Sequence, residues 1–210
     1  KKNTFTYLNE LSSQLSVLHL YSGSQHILCK GTDGQGLIQL YHYDSLFETV
    51  HTSHPVRCFC EDEDGNILIG TKGSGIKLLN PATKELTDYL NESKGLISNS
   101  VYALRRNKAN DIFIGTEGTG INILNAATGQ LEKLEIPDKY PPFKAVYNIY
   151  FTNNDSLLWV GTSGYGLIKI NISREQGRYH VKGFRQYNSS DKNISLNNDV
   201  VYAIIIIMIL

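Results

Sequence analysis

The chain has 210 residues, 41% of them hydrophobic and 19% charged, which fits one large globular domain or two small ones. Twenty Lys and Arg balance twenty Asp and Glu, which argues against a nucleic-acid-binding arm or a basic membrane patch. Three cysteines, Cys29, Cys58 and Cys60, are too few and odd in number for a disulfide framework.

In chain order, Lys1 opens the sequence with neither an initiator methionine nor a signal-peptide pattern, as an excised segment or mature form would. Phe5-Thr-Tyr-Leu8 reads as an outermost strand, like Leu86-Thr-Asp-Tyr89 and Phe184-Arg-Gln-Tyr187 further on. A glycine motif then recurs. Gly31-Thr-Asp-Gly-Gln-Gly-Leu37 matches Gly70-Thr-Lys-Gly-Ser-Gly-Ile76, Gly115-Thr-Glu-Gly-Thr-Gly-Ile121 and Gly161-Thr-Ser-Gly-Tyr-Gly-Leu167, at intervals of 39, 45 and 46 residues. Val17, Val56, Val101, Val146 and Val201 keep step with it, each opening a short apolar run. A period of about 40–45 residues marks a β-propeller or another stacked array. The runs are short and bounded by Gly, Asn, Asp and Ser, as strands are.

Each repeat reads as four strands. In the third copy these are Val101-Tyr-Ala-Leu-Arg105, Ile112-Phe-Ile-Gly115, Gly120-Ile-Asn-Ile-Leu124 and Leu131-Glu-Lys-Leu-Glu-Ile136. The pattern predicts an all-β protein: a single partial β-propeller over 1–210, with blades at 15–50, 54–91, 99–136 and 144–188. A strand of a previous blade lies at 4–8, and a next blade starts at 199–210. One outer strand, four blades and one inner strand do not make a whole number of blades. The chain therefore reads as a fragment of a larger propeller, or one that completes its ring by self-association through open blade ends. The apolar end, Ala203-Ile-Ile-Ile-Ile-Met-Ile-Leu210, is too short to span a membrane. It reads as a truncation scar, an altered terminus or a sticky strand.

Glycine clusters before apolar runs also suggest phosphate loops. Such loops need a helix behind the glycines, and here β-branched residues such as Ile121 and Ile123 follow. Gly31, Gly70, Gly115 and Gly161 are therefore read as structural turn glycines. Strands packed on both faces should be apolar on both, as Ile67-Leu-Ile69 and Ile112-Phe-Ile114 are. Cys29 aligns with Leu68, Phe113 and Trp159, and Cys58 and Cys60 fall on one side of a strand, a poor geometry for a bridge. All three thiols are expected to be buried.

Asp64-Gly-Asn-Ile-Leu-Ile-Gly-Thr71, Leu158-Trp-Val-Gly-Thr162, Leu79-Asn-Pro-Ala-Thr83 and Ile97-Ser-Asn-Ser-Val-Tyr-Ala-Leu104 resemble the two-component regulator propeller repeat. The resemblance spans about residues 15–204. It implies a seven-bladed, periplasmic propeller from the sensor region of a Bacteroides-type hybrid two-component system. Such propellers precede a Y-shaped β-sandwich, a membrane helix, a histidine kinase, a receiver and a DNA-binding domain, and commonly sense oligosaccharides. No kinase, receiver or DNA-binding motif lies within these residues, so any signalling output lies outside them.

Catalytic patterns are weak. The six histidines, His19, His26, His42, His51, His54 and His180, form neither HExxH nor a zinc spacing. His51-Thr-Ser-His54 reads as a solvated loop more than a metal grip. Glu61-Asp-Glu-Asp-Gly-Asn66 resembles part of a calcium loop but lacks the distal Glu, and reads as a hairpin turn. No Gly-x-Ser-x-Gly appears, and acids for glycosidase chemistry cluster in turns. No metal, cofactor or catalytic residue is assigned. The loops joining one blade's outer strand to the next blade's inner strand are the candidate binding surface. They supply Tyr140, Phe143, Lys144, Asn99 and Asn198. Tyr102, Tyr147 and Tyr202 hold equivalent inner-strand positions, as core or as ligand contacts.

The reading is an extracytoplasmic, periplasmic, glycan-responsive sensor propeller with no catalysis of its own and no membrane or nucleic-acid contact. Its expected partners are an oligosaccharide, a neighbouring propeller or β-sandwich domain, or a second copy. The alternatives are a streptogramin-lyase-like enzyme and a purely structural interaction propeller.

Overall fold

The computed structural model describes residues 17–22, 27–33, 37–41, 47–192 and 194–205. The strand expected at 4–8 and the tail from 206 on lie outside them. The chain divides into two compact units, Lys1–Val56 and Arg57–Leu210.

The first unit holds one antiparallel sheet in the order β1 (Val17–Ser22), β2 (Ile27–Thr32), β3 (Leu37–Tyr41) and β4 (Phe47–Val50). Gly31 pairs with His19 on one side and Leu37 on the other. Cys29 pairs between Tyr21 and Gln39; its side chain lies outside the described set.

The second unit begins within β5 (Val56–Glu61), which pairs in turn with β6 (Ile67–Thr71), β7 (Ile76–Leu79) and β8 (Leu86–Leu90). The next sheet runs β9 (Val101–Arg106), β10 (Ile112–Thr116), β11 (Ile121–Leu124) and β12 (Leu131–Lys133). The last runs β13 (Val146–Thr152), β14 (Leu157–Thr162), β15 (Leu167–Glu175) and β16 (Arg178–Tyr187). Each is a meander of sequential antiparallel neighbours, the blade of a β-propeller. β6 and β10 are buried along their whole length, as strands covered on both faces must be. Asn side chains make the hairpins. The Oδ1 of Asn80 accepts from the amides of Ala82 and Thr83, that of Asn125 from Thr128, and that of Asn107 from Ala109 and Asp111. These bonds hold the chain in turns that a strand ladder would otherwise leave open.

The repeated glycines work at the seams between blades. A Cβ on Gly115 would lie 2.5 Å from Val146 Cγ1 and 2.8 Å from its carbonyl oxygen. On Gly161 it would meet the Val201 carbonyl at 2.6 Å, and on Gly70 it would fall on the Cys58 sulfur and 2.9 Å from Val101 Cγ1. None of these three has a positive φ; they are glycines because the next blade's opening valine stands where a side chain would be. The last glycine of the motif does need the left-handed region: Gly75 has φ 70° and Gly166 φ 71°. The threonine closes the loop, with Thr71 Oγ1 donating to the Gly75 carbonyl and Thr162 Oγ1 to the Gly166 carbonyl, each at 2.8 Å. The loop amides then clasp the next blade. Gly73 and Gly75 donate to the Asn99 carbonyl, Gly120 to that of Phe143, and Gly164 and Gly166 to that of Asp199.

Two expectations change. The strand predicted at 131–136 ends at Lys133, although the Leu134 amide still reaches the Ile121 carbonyl. The inner strand predicted from Val201 to Ile204 is reduced to a bridge between Val200 and Ser163 and a bond from the Val201 amide to the Thr162 carbonyl. No second strand among the described residues pairs with it, so its backbone has no ladder to join.

Candidate functional site

The inner strands carry tyrosines of the candidate site. The β9–β10 ladder pairs Ala103 with Gly115 and Val101 with Thr116, passing over Tyr102. The β13–β14 ladder pairs Asn148 with Gly161 and Val146 with Thr162, passing over Tyr147. Each tyrosine is thus the extra residue of a β-bulge opposite a Gly-Thr corner, a device that re-aims a side chain out of the regular ladder. The same slip passes over Leu18 in β1.

The re-aimed rings meet. Tyr102 and Tyr147 pack edge to face with centroids 5.0 Å apart, and Tyr147 stacks on Tyr202 at 5.1 Å with 9° between planes. Tyr102 and Tyr147 are half-buried, and Tyr202 is 72% exposed. Burial pushes the Tyr102 hydroxyl above the usual phenol range, helped by the Glu117 carboxylate and Tyr147. The Arg57 guanidinium and a hydrogen bond with Ser100 act the other way. Arg57 is the member of this row that sequence reading missed. It follows Val56 as Tyr102 follows Val101, and that repeat position was the available signal.

The loop candidates separate from this row. Phe143 is 2% exposed within the core between the β9–β12 and β13–β16 sheets, so the expectation that it stacks on a ligand is corrected: its faces are spent on packing. Tyr140 stacks on Phe184 at 5.0 Å, with Lys139 Nζ 5.0 Å from its ring centroid, leaving little of its face open. Asn99 is tied into its loop, its Oδ1 accepting from the Glu92 amide while Glu92 Oε1 accepts from the Asn99 amide, both at 2.8 Å. Its structural counterpart is Asp199, which takes the same glycine bonds and binds Ser189. Asn198 is exposed and caps Val200, and Lys144 is exposed beside Thr119.

The acidic turn at 61–66 is self-contained: Asp62 Oδ1 accepts from the amides of Asp64 and Asn66, and Oδ2 from the Asn66 side chain. Among the described residues no group of three or more His, Cys, Asp or Glu is placed to hold a metal ion. Cys58 and Cys60 are buried free thiols, and burial pushes Cys60 up to about 11 and Cys58 further.

Residues 52–73, which include the first of these Gly-Thr clasps, match the two-component regulator propeller repeat. A protein described as the extracellular domain of a hybrid two-component system from B. thetaiotaomicron is 25% identical, with a TM-score of 0.65 over 79% of this chain and 23% of its own. The chain thus spans about a quarter of that relative. Virginiamycin B lyase from Staphylococcus aureus (13% identical, TM-score 0.60, 81% of this chain and 56% of that one) and the hydrazine synthase of Kuenenia stuttgartiensis (9% identical, TM-score 0.64, 87% and 53%) are similar in fold. No curated protein sequence matches the chain. The two-component resemblance and the propeller architecture read from the sequence both hold, and no helix among the described residues is long and apolar enough to cross a membrane.

Proposed function

We propose that this chain is the ligand-binding propeller segment of a periplasmic hybrid two-component sensor, responsive to a glycan and without a catalytic step of its own. The observation that carries the reading is a row of partly exposed tyrosines, Tyr102 and Tyr147 at bulges of the inner strands and Tyr202 stacked on Tyr147. At these re-aimed positions the chain holds amphipathic rings at the solvent boundary. Aromatic faces take the C–H faces of sugar rings while their hydroxyls bond sugar oxygens. The repeat at 52–73 and the 25% identity to a two-component extracellular domain support the sensor context.

Thermal unfolding in a panel of neutral and acidic oligosaccharides tests it. A ligand that binds only the folded chain raises its stability by about 2.7 kcal/mol at a hundred times Kd, several degrees for a chain of this size. A panel in which no saccharide moves the transition overturns the reading.

A further inference from the structure

The tyrosine row continues, by repeat position, into a cation. Arg57 stands where Tyr102, Tyr147 and Tyr202 stand, one residue past the valine that opens each inner strand. Its Nε is buried and has no hydrogen-bond partner among the described residues. A buried guanidinium N–H left unpaired is costly, more so than an unpaired neutral donor. Arg57 alternates with its neighbours as Tyr102 does, half-buried between the buried Val56 and Cys58 as Tyr102 is between Val101 and Ala103, and its charge acts on the Tyr102 hydroxyl. A planar guanidinium offers five donors in a fork that matches the paired oxygens of a carboxylate or sulfate. The exposed Glu117 carboxylate also acts on Tyr102, in the opposite direction.

We infer that Arg57 is the anion seat of the inner-strand site, so that its ligand is a saccharide bearing a carboxylate or sulfate substituent, with its sugar rings along Tyr102, Tyr147 and Tyr202. This rests on the proposal that the site takes a glycan. The charge fixes which end of the sugar lies at Arg57, and the rings supply contact area that tolerates different linkages.

The test is calorimetric titration of the 210-residue chain with three probes: trigalacturonate, a sulfated disaccharide and neutral maltotriose. Preference for an acidic probe by at least tenfold, lost in Arg57→Gln and largely lost in Arg57→Lys, is the expected result; which acidic probe binds tells carboxylate from sulfate. Glu117→Gln should tighten the acidic probe two- to threefold, the opposite sign. Thermal unfolding of each variant keeps the reading clean, because losing the unpaired Nε–H removes a cost, and a lowered melting temperature in Arg57→Gln would mark a structural role instead. Equal binding of neutral and acidic probes, unmoved by Arg57→Gln, overturns this inference and leaves the glycan proposal standing. Binding of none of the three overturns the inference, and the wider saccharide panel then decides the proposal beneath it.

Discussion

Two seams in the second unit share one clasp and are filled differently. Between the β5–β8 and β9–β12 sheets the filling is aliphatic and thiol: Cys58, Cys60, Leu68, Ile76, Val101, Leu104, Ile112, Ile114 and Leu124. Its polar links are peripheral, from Arg106 Nη1 to the Asp62 carbonyl and from Asn110 Nδ2 to Glu63. Between the β9–β12 and β13–β16 sheets aliphatic side chains are joined by aromatic rings, with Phe113 edge to face with both Phe151 and Tyr179. A buried polar lock sits beside those rings. The Asp111 side chain is 1% exposed. Its Oδ2 accepts from the Tyr179 hydroxyl at 2.7 Å and pairs with Arg174 Nη1 at 3.2 Å, and its Oδ1 accepts from the Ala126 amide at 2.9 Å. Asn107 Nδ2 donates to the same hydroxyl at 2.6 Å. The lock exists because β15 and β16 run to nine and ten residues and carry Arg174 and Tyr179 back over the preceding blade. The glycine–valine clasp sets the spacing of the blades, and the extension of a hairpin decides whether the seam can afford a buried charge.

The contrast is sharpest at Asp111. Asp111→Ala strands a buried hydroxyl, an amide and a guanidinium at once and should cost about 3 kcal/mol, read as a lower urea midpoint; a loss under 1 kcal/mol would make the lock ornamental. The other seam should be sensitive to base through its thiols. Burial raises the folded Cys60 thiol from 9.0 to about 11, so the unfolded thiol ionises first. The Cys60 contribution is complete below pH 9 and falls as pH rises toward 11, by about 2–3 kcal/mol, and the more deeply buried Cys58 adds to the loss. Urea titrations across that window should show the loss in the native chain and a smaller one in Cys60→Ala. Gly115→Ala forces a Cβ onto Val146 and should cost about 2 kcal/mol; an unchanged melting temperature would mean that the clasp is loose. Tyr179→Phe keeps the ring contacts and removes one hydroxyl, for about 1 kcal/mol. The Lys77–Asp88 pair belongs to neither seam, and because Asp88 is its solvent-exposed member, Asp88→Ala should change stability by less than about 1 kcal/mol.

Much of the fold was legible because it repeats. Val101, Ile112, Ile121 and Leu131 each open a strand where the period placed one. What does not repeat was hidden. The extension of β15 and β16 past Asn171 has no counterpart in the other blades, so no alignment within the chain announced it, and with it went Arg174, Tyr179 and the lock. In the site, Tyr102, Tyr147 and Tyr202 were visible as one residue type at one position. Arg57 was not, because its chemistry differs even though its place is the same. Phe143 misled because a loop aromatic is as able to seal a core as to meet a ligand, and only packing decides.

The most direct test follows the tyrosine ring signals in NMR spectra of the chain as the saccharide panel is added. The account predicts that a binding saccharide shifts the rings of Tyr102, Tyr147 and Tyr202 together and leaves Tyr140, stacked on Phe184, in place. A saccharide that binds while those three signals stay fixed would contradict it.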